Sequence, residues 1–297
     1  FSMNTFENSS PLLKIVYLFL FSLVGLFLAG SLVTVLNGFV GGGLMQSAWG
    51  IRISSGVQMV LMFLMPAITL VVWSGEKPLT VLGLHSSNNS SVLYFLAFAI
   101  LLVGMPFITL LSQLNQMLVL PEWLSGLELL MRNFEEAAQA TTNLLLGGTS
   151  IWGFLGNIIF IGAFASVAEE VFFRGVLQKL LGKLFKNLHT SVWLAAFIFS
   201  LMHMQFYGFL PRIVLGAMLG YLFVYSNNLW IPIFVHFLNN ALVVALNFFF
   251  KENSIYQSLE NPSMSLSFIA VGFISLGLLI YLFVLYRGKG DYRVERE

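Results

Sequence analysis

Glu169-Glu170-Val171-Phe172-Phe173-Arg174 sets two carboxylates and a guanidinium in an apolar stretch that has no other ionisable residue from Trp152 to Lys179. Charge at bilayer depth costs about 2.5–3.5 kcal/mol per residue on insertion scales, so such a set points to a use. Phe199-x-x-x-His203 and His236-x-x-x-Asn240 follow, each in another apolar run. A Glu beside a His can take a proton from water and return it to a leaving amine. A second His and an Asn amide can donate hydrogen bonds to a developing oxyanion. Equally, Glu169, His203, His236 and the Asn240 oxygen can ligate a divalent metal such as zinc, which acidifies its bound water. Either set hydrolyses an amide, and the choice between metal and no metal stays open. The chain has no cysteine, which excludes a Cys nucleophile, thiolate ligands and disulfides. No serine-hydrolase elbow, phosphate loop or His-Glu-x-x-His motif occurs.

Helix geometry divides the labour. Residues four apart share a face, so Glu170 and Arg174 are neighbours with the acid on the favoured N-terminal side. Glu169 lies about 100° round the helix and is expected to point elsewhere, free for chemistry while Arg174 neutralises Glu170. A purely structural ion pair accounts for Glu170 and Arg174 equally well, but leaves Glu169 as an unpaired buried acid. His236 and Asn240, also four apart, are expected to face one interior spot, with His203 on a neighbouring span. At 1.5 Å per residue, Glu169, His203, His236 and Asn240 fall about 10–18 Å from one membrane face, so their depths overlap.

These residues need a membrane scaffold. The 297-residue chain is 58% hydrophobic and 9% charged, against about 25% charged for a soluble domain. Mean hydropathy is +0.88. The expected fold is an all-α polytopic membrane bundle of about eight helices, at 15–36, 55–73, 92–111, 152–181, 191–207, 209–225, 229–250 and 265–286. The fifth and sixth are short, a tilted or broken pair around Gly208 and Pro211. Residues 1–14 form an N-terminal tail, 15–286 one membrane domain with the hydrolytic core near 150–245, and 287–297 a basic tail. Phe1 and Ser2 precede Met3 as an expression scar would, and no cleavable signal peptide stands out. Trp73, Trp152, Trp193 and Trp230 mark span ends at headgroup level.

Nine cationic residues (Lys14, Lys77, Lys179, Lys183, Lys186, Arg287, Lys289, Arg293 and Arg296) fall on one side of that topology. Arg52, Arg132, Arg212 and Lys251 fall on the other. The positive-inside rule then places both termini in the cytoplasm, with a bacterial cytoplasmic membrane as the expected location. A net charge of +1 argues against nucleic acid as a partner. The loop 112–150 carries Leu124, Leu127, Leu130, Met131 and Phe134 at helical spacing, an amphipathic helix on the membrane surface that either caps the bundle or gates a substrate. Gly216-x-x-x-Gly220 reads as close helix packing within the bundle. Pro66, Pro106 and Pro232 are expected to kink or start helices, and Arg212 to snorkel to the interface. His85 and His189 read as solvated loop residues, and Ser86 to Ser91 as a polar turn.

Taken in order, the three motifs resemble those of the CPBP intramembrane proteases, which include type II CAAX prenyl endopeptidases and bacteriocin-processing or self-immunity proteins. The resemblance covers about residues 150–245, with no departure at the motif residues. It implies that Glu169 and His203 activate water, that His236 and Asn240 stabilise the tetrahedral intermediate, and that Glu170, Arg174 and Phe199 support them. It implies a membrane-embedded or lipidated peptide substrate, besides membrane lipid. Two rival readings remain: a non-catalytic immunity or scaffold protein, and an ion-coupled transporter, for which no repeated half is evident. Oligomeric state cannot be read from the sequence.

Overall fold

The computed structural model describes residues 7–84, 91–260 and 263–290. His85, most of the 86–91 turn, Phe1, Ser2 and the tail beyond residue 290 lie outside the described residues. The bundle contains α1 (Pro11–Phe39), α2 (Ala48–Trp73), α3 (Ser91–Gln116), α4 (Ser125–Leu146), α5 (Ile151–Phe185), α6 (Leu188–Met202), α7 (Phe209–Ser226), α8 (Trp230–Phe250) and α9 (Leu266–Lys289). Among the described residues seven helices are long and apolar enough to cross a membrane; α6, at 15 residues, is the expected fifth span in shortened form. The protein is an integral membrane helix bundle.

Side-chain caps start several helices. Ser10 accepts from Leu13 N ahead of Pro11, Asn187 from Thr190 N, and Ser265 from Phe268 N. The apolar surface is turned outward: Phe27, Phe95, Ile274 and Val284 are each more than 60% exposed, as lipid-facing side chains must be. Two apolar clusters lie inside. One joins α1, α2, α5 and α6 around Phe63, Phe172 and Phe173, and the other joins α3, α7, α8 and α9 around Ile100, Leu222 and Tyr286.

Two prolines shape the interior through the hydrogen bonds they cannot make. Pro66 has no N–H for the Met62 carbonyl, and Ser22 of α1 donates to that carbonyl instead at 2.8 Å. Gly25, about one turn on, permits the approach: a Cβ there would lie 1.8 Å from the Leu61 carbonyl oxygen. Beside Pro106, Ser275 of α9 enters the backbone ladder of α3, accepting from Phe107 N and donating to the Val103 carbonyl. Nonhelical backbone needs in the membrane are thus met by neighbouring helices.

Three expectations change. α2 begins at Ala48 rather than near 55, which puts Arg52 inside a helix and buries it. There Arg52 donates to Asn157 Oδ1 at 2.8 Å and to the Leu145 carbonyl at 3.3 Å, so it is a buried clasp between α2, α4 and α5 and not a loop charge. The 112–150 loop does contain an amphipathic helix, α4, but its acidic residues Glu128 and Glu135 face the protein while Leu127, Leu130 and Phe134 face outward. Finally, His189 is no isolated loop residue: it sits in the first turn of α6 with Nδ1 2.7 Å from the Tyr221 hydroxyl.

Candidate active site

α5 supplies the acids from a turn flanked by two distortions. Residues 158–164 and 171–178 adopt the wide i→i+5 (π) winding, with Ala165–Glu170 ordinary α-helix between them. Such insertions recur at functional sites and re-aim the side chains around them. Glu169, Glu170 and Arg174 are all buried, as is His236 on α8.

Arg174 forms the expected pair, donating through Nη1 to Glu170 Oε1 at 2.7 Å. Through Nη2 it donates to the Gly216 carbonyl of α7 at 3.0 Å, and its guanidinium stands 4.8 Å above the Phe199 ring. Gln178, one turn on, repeats the reach, donating to the Gly220 carbonyl at 3.2 Å. The glycine pair therefore packs within the bundle and also presents two carbonyls to α5. A Cβ at Gly220 would stand 2.8 Å from Gln178 Oε1 and 2.9 Å from Val192 Cγ1; one at Gly216 would stand 3.1 Å from Ala196 Cβ. No motif marks Gln178; its signal in the sequence is a polar residue four positions past Arg174.

One imidazole joins the two acids. His236 Nδ1 lies 2.8 Å from Glu170 Oε1, and Nε2 lies 3.8 Å from Glu169 Oε2. The 100° offset was expected to send Glu169 and Glu170 apart; the ring of His236, entering from α8, instead spans both. A carboxylate only accepts, so Nδ1 carries a hydrogen. The 3.8 Å separation exceeds a direct hydrogen bond and suits a bridging water. Glu169 itself makes no hydrogen bond among the described residues, and its side chain keeps 8% exposure. Glu170 Oε2 is fully buried without a partner among the described residues.

Asn240 sits one turn beyond His236 and also faces α5. Its amide donates to the Ile161 carbonyl at 3.0 Å, within the first wide stretch, and its oxygen accepts from Asn239 at 3.3 Å. One amide hydrogen of Asn240 is therefore committed to the backbone.

His203 is not on a helix. α6 ends at Met202, His203 caps it, and Met204 turns the chain away with a left-handed φ of 54°. His203 Nδ1 lies 2.8 Å from the Phe199 carbonyl. A carbonyl cannot donate, so in the neutral ring Nδ1 bears the hydrogen and Nε2 keeps its lone pair. The ring packs edge-on against Phe199 at 4.8 Å, and His236 meets the same phenyl ring at 6.1 Å. Phe199 thus touches both imidazoles and Arg174. Glu169, His236 and Arg212 all lie within electrostatic reach of His203.

The turn carrying His203 is held from three sides. Asn115, fully buried at the end of α3, donates to the Phe206 carbonyl at 2.8 Å and accepts from Leu210 N at 2.7 Å. Arg212 does not snorkel outward: it folds back to donate to Gln205 Oε1 at 2.8 Å. Glu135 of α4 accepts from Tyr207 N at 3.4 Å, and Arg132 stacks 5.2 Å over the Tyr207 ring. Arg132 also bonds Glu128 at 2.6 Å, which holds that carboxyl below the usual range. Asn115 was invisible to motif reading, since its partners lie 91 and 95 residues away.

Among the described residues no three His, Asp or Glu side chains converge as a ligand set. The Nδ1 bond to Glu170 leaves His236 Nε2 open, and Asn240 is turned to Ile161. The chemistry below is derived from the side chains alone.

Fold and site together define a polytopic membrane protein that buries an acid–imidazole–amide cluster where its two apolar cores meet. Residues 151–242, which hold the whole cluster except Asn115 and α4, match the family model described as Type II CAAX prenyl endopeptidase Rce1-like. The match falls on the segment that carries all three motifs. A curated relative, the uncharacterized protein YpbD of Bacillus subtilis (strain 168), is 30% identical over 90 residues, 29% of this chain and 43% of that protein. The chain spans less than half the length of the curated relative it matches. No solved structure matches.

Proposed function

We propose that this protein is an intramembrane endopeptidase that hydrolyses a peptide bond in a membrane-embedded or lipidated substrate, with water as nucleophile. The observation that carries this reading is Glu169, a buried acid that the ion pair leaves unbonded, opposite His236 Nε2 and near His203. Arg174 neutralises Glu170 and so spares Glu169 for a reactant. Glu169 and His203, through its Nε2 lone pair, take the proton from water and deliver it to the leaving amine. His236 Nε2, when protonated, and the remaining amide N–H of Asn240 donate to the oxyanion. Glu170, Arg174 and Phe199 set the orientation of His236 and His203. The nine lysines and arginines on one side support cytoplasmic termini, the more so because Arg52 and Arg212 are occupied within the protein.

The test uses pure protein in nanodiscs and a fluorogenic peptide library carrying a lipid anchor. Cleavage should fall at least about 100-fold in each of Glu169→Gln, His203→Ala and His236→Ala, the ordinary weight of a general acid–base group. Full turnover in all three variants would end the proposal.

A further inference from the structure

A second polar site lies at the other end of α5. A cavity of about 190 Å³ opens between the start of α1, the turn that follows α2 and the last turns of α5. Lys14, Lys179 and Lys183 line it, with Glu76 as the one acidic lining residue and the Ser9 and Ser74 hydroxyls beside them. Lys179 and Lys183 are four apart and share a helix face. Lys179 is held by the Val81 carbonyl and the Phe223 ring. Lys14 and Lys183 have no carboxylate partner among the described residues. The remaining wall is apolar and includes Leu70, Val71, Val176 and Leu180.

Position narrows the ligand class. Exposed Trp73 ends α2 beside the cavity, which places the lysines at headgroup level. Cations facing an apolar wall at that depth suit a phosphate attached to a glycerol and acyl chain better than a freely soluble anion. Basic pockets between membrane helices bind anionic headgroups on these terms. We propose that this cavity binds the phosphate of an anionic phospholipid, held by Lys14, Lys179 and Lys183 with the acyl chain along the apolar wall. The site is independent of the hydrolytic reading and stands about 15 Å along α5 from Glu169, ten residues at 1.5 Å each. Gly175 and Val176 form its inner side, directly after Arg174.

Native mass spectrometry of the full chain, with phosphatidylglycerol, phosphatidylcholine or glycerol phosphate added, tests this. Phosphatidylglycerol should be retained and phosphatidylcholine lost. Binding should weaken about 30-fold in the Lys14→Ala/Lys183→Ala double variant, from the usual contribution of two lysines near an anionic surface. Lys183→Glu, at an exposed position, should weaken it without loss of folded protein. Equal retention of both lipids, or unchanged binding in the two variants, would overturn the proposal. Displacement of the lipid by equimolar glycerol phosphate would reassign the pocket to a soluble phosphate and overturn it likewise.

Discussion

His236 and Arg174 bond the same oxygen of Glu170, from α8 at 2.8 Å and from within α5 at 2.7 Å. This shared acceptor fixes the imidazole, and through it the distance from Nε2 to Glu169. Removing one partner of a buried pair leaves an uncompensated charge, which costs about 3–5 kcal/mol. Arg174→Met should therefore lower the melting temperature and yield in detergent sharply. Arg174→Lys should recover part of this at most, because a single ammonium cannot replace two guanidinium contacts pointing at Glu170 and Gly216. Glu169→Gln, which breaks no hydrogen bond among the described residues, should melt close to the wild type. Equal destabilisation by Glu169→Gln and Arg174→Met would refute the division of labour between the two acids.

Asn115 acts on His203 from a distance. Asn115→Ala strands the Phe206 carbonyl and Leu210 N, and each lost buried partner ordinarily costs about 1–3 kcal/mol. Its expected signature in a cleavage assay is a fall in kcat with KM little changed, because the turn is loosened rather than a substrate contact removed. Asn115→Asp keeps the acceptor for Leu210 N and should retain more activity than Asn115→Ala. A purely structural role would lower the melting temperature of both while sparing kcat in the folded fraction.

The Gly216 and Gly220 positions test the α5–α7 contact. Alanine at Gly220 meets Gln178 and Val192 at under 3.0 Å, and alanine at Gly216 presses on Ala196. Overpacking of this kind costs about 1–3 kcal/mol. Gly30→Ala, where a Cβ meets nothing within 4 Å, is the control and should melt unchanged. If all three alanine variants behave alike, the carbonyl contacts of Arg174 and Gln178 do not depend on close approach.

Chelation addresses the reacting groups. As Glu169, His203 and His236 do not converge as a ligand set among the described residues and Asn240 is bonded to Ile161, cleavage should survive prolonged dialysis against a chelator, with elemental analysis showing less than stoichiometric zinc. Stoichiometric zinc that leaves together with activity would instead draw Glu169, His203 and His236 Nε2 together as its ligands.

Acidity probes α4. Arg132 depresses the Glu128 carboxyl, so their bond contributes fully at neutral pH and is lost only as pH falls through that lowered value. Hydrogen exchange at Leu120, whose N–H donates to Glu128 Oε2 at 3.2 Å, should therefore stay slow in mild acid and quicken below the ordinary carboxylate range. Quickening already near pH 6 would assign the protection to another group.

The residues that do the proposed chemistry could be picked from the sequence because a membrane makes polarity conspicuous. Glu169, Glu170, Arg174, His203, His236 and Asn240 stand out from apolar runs, and period and length were enough to place most of the helices. The i, i+4 rule delivered the Glu170–Arg174 pair because both residues share one helix. What needed the tertiary structure was every relation between helices. The π windings on α5, the imidazole joining two acids expected to diverge, the burial of Arg52 and the folding back of Arg212 each depend on a neighbouring backbone at a particular height. Asn115 shows the limit most plainly: its two hydrogen bonds exist only because α3 ends against the turn after α6, and hydrophobic periodicity carries no information about which helix ends meet.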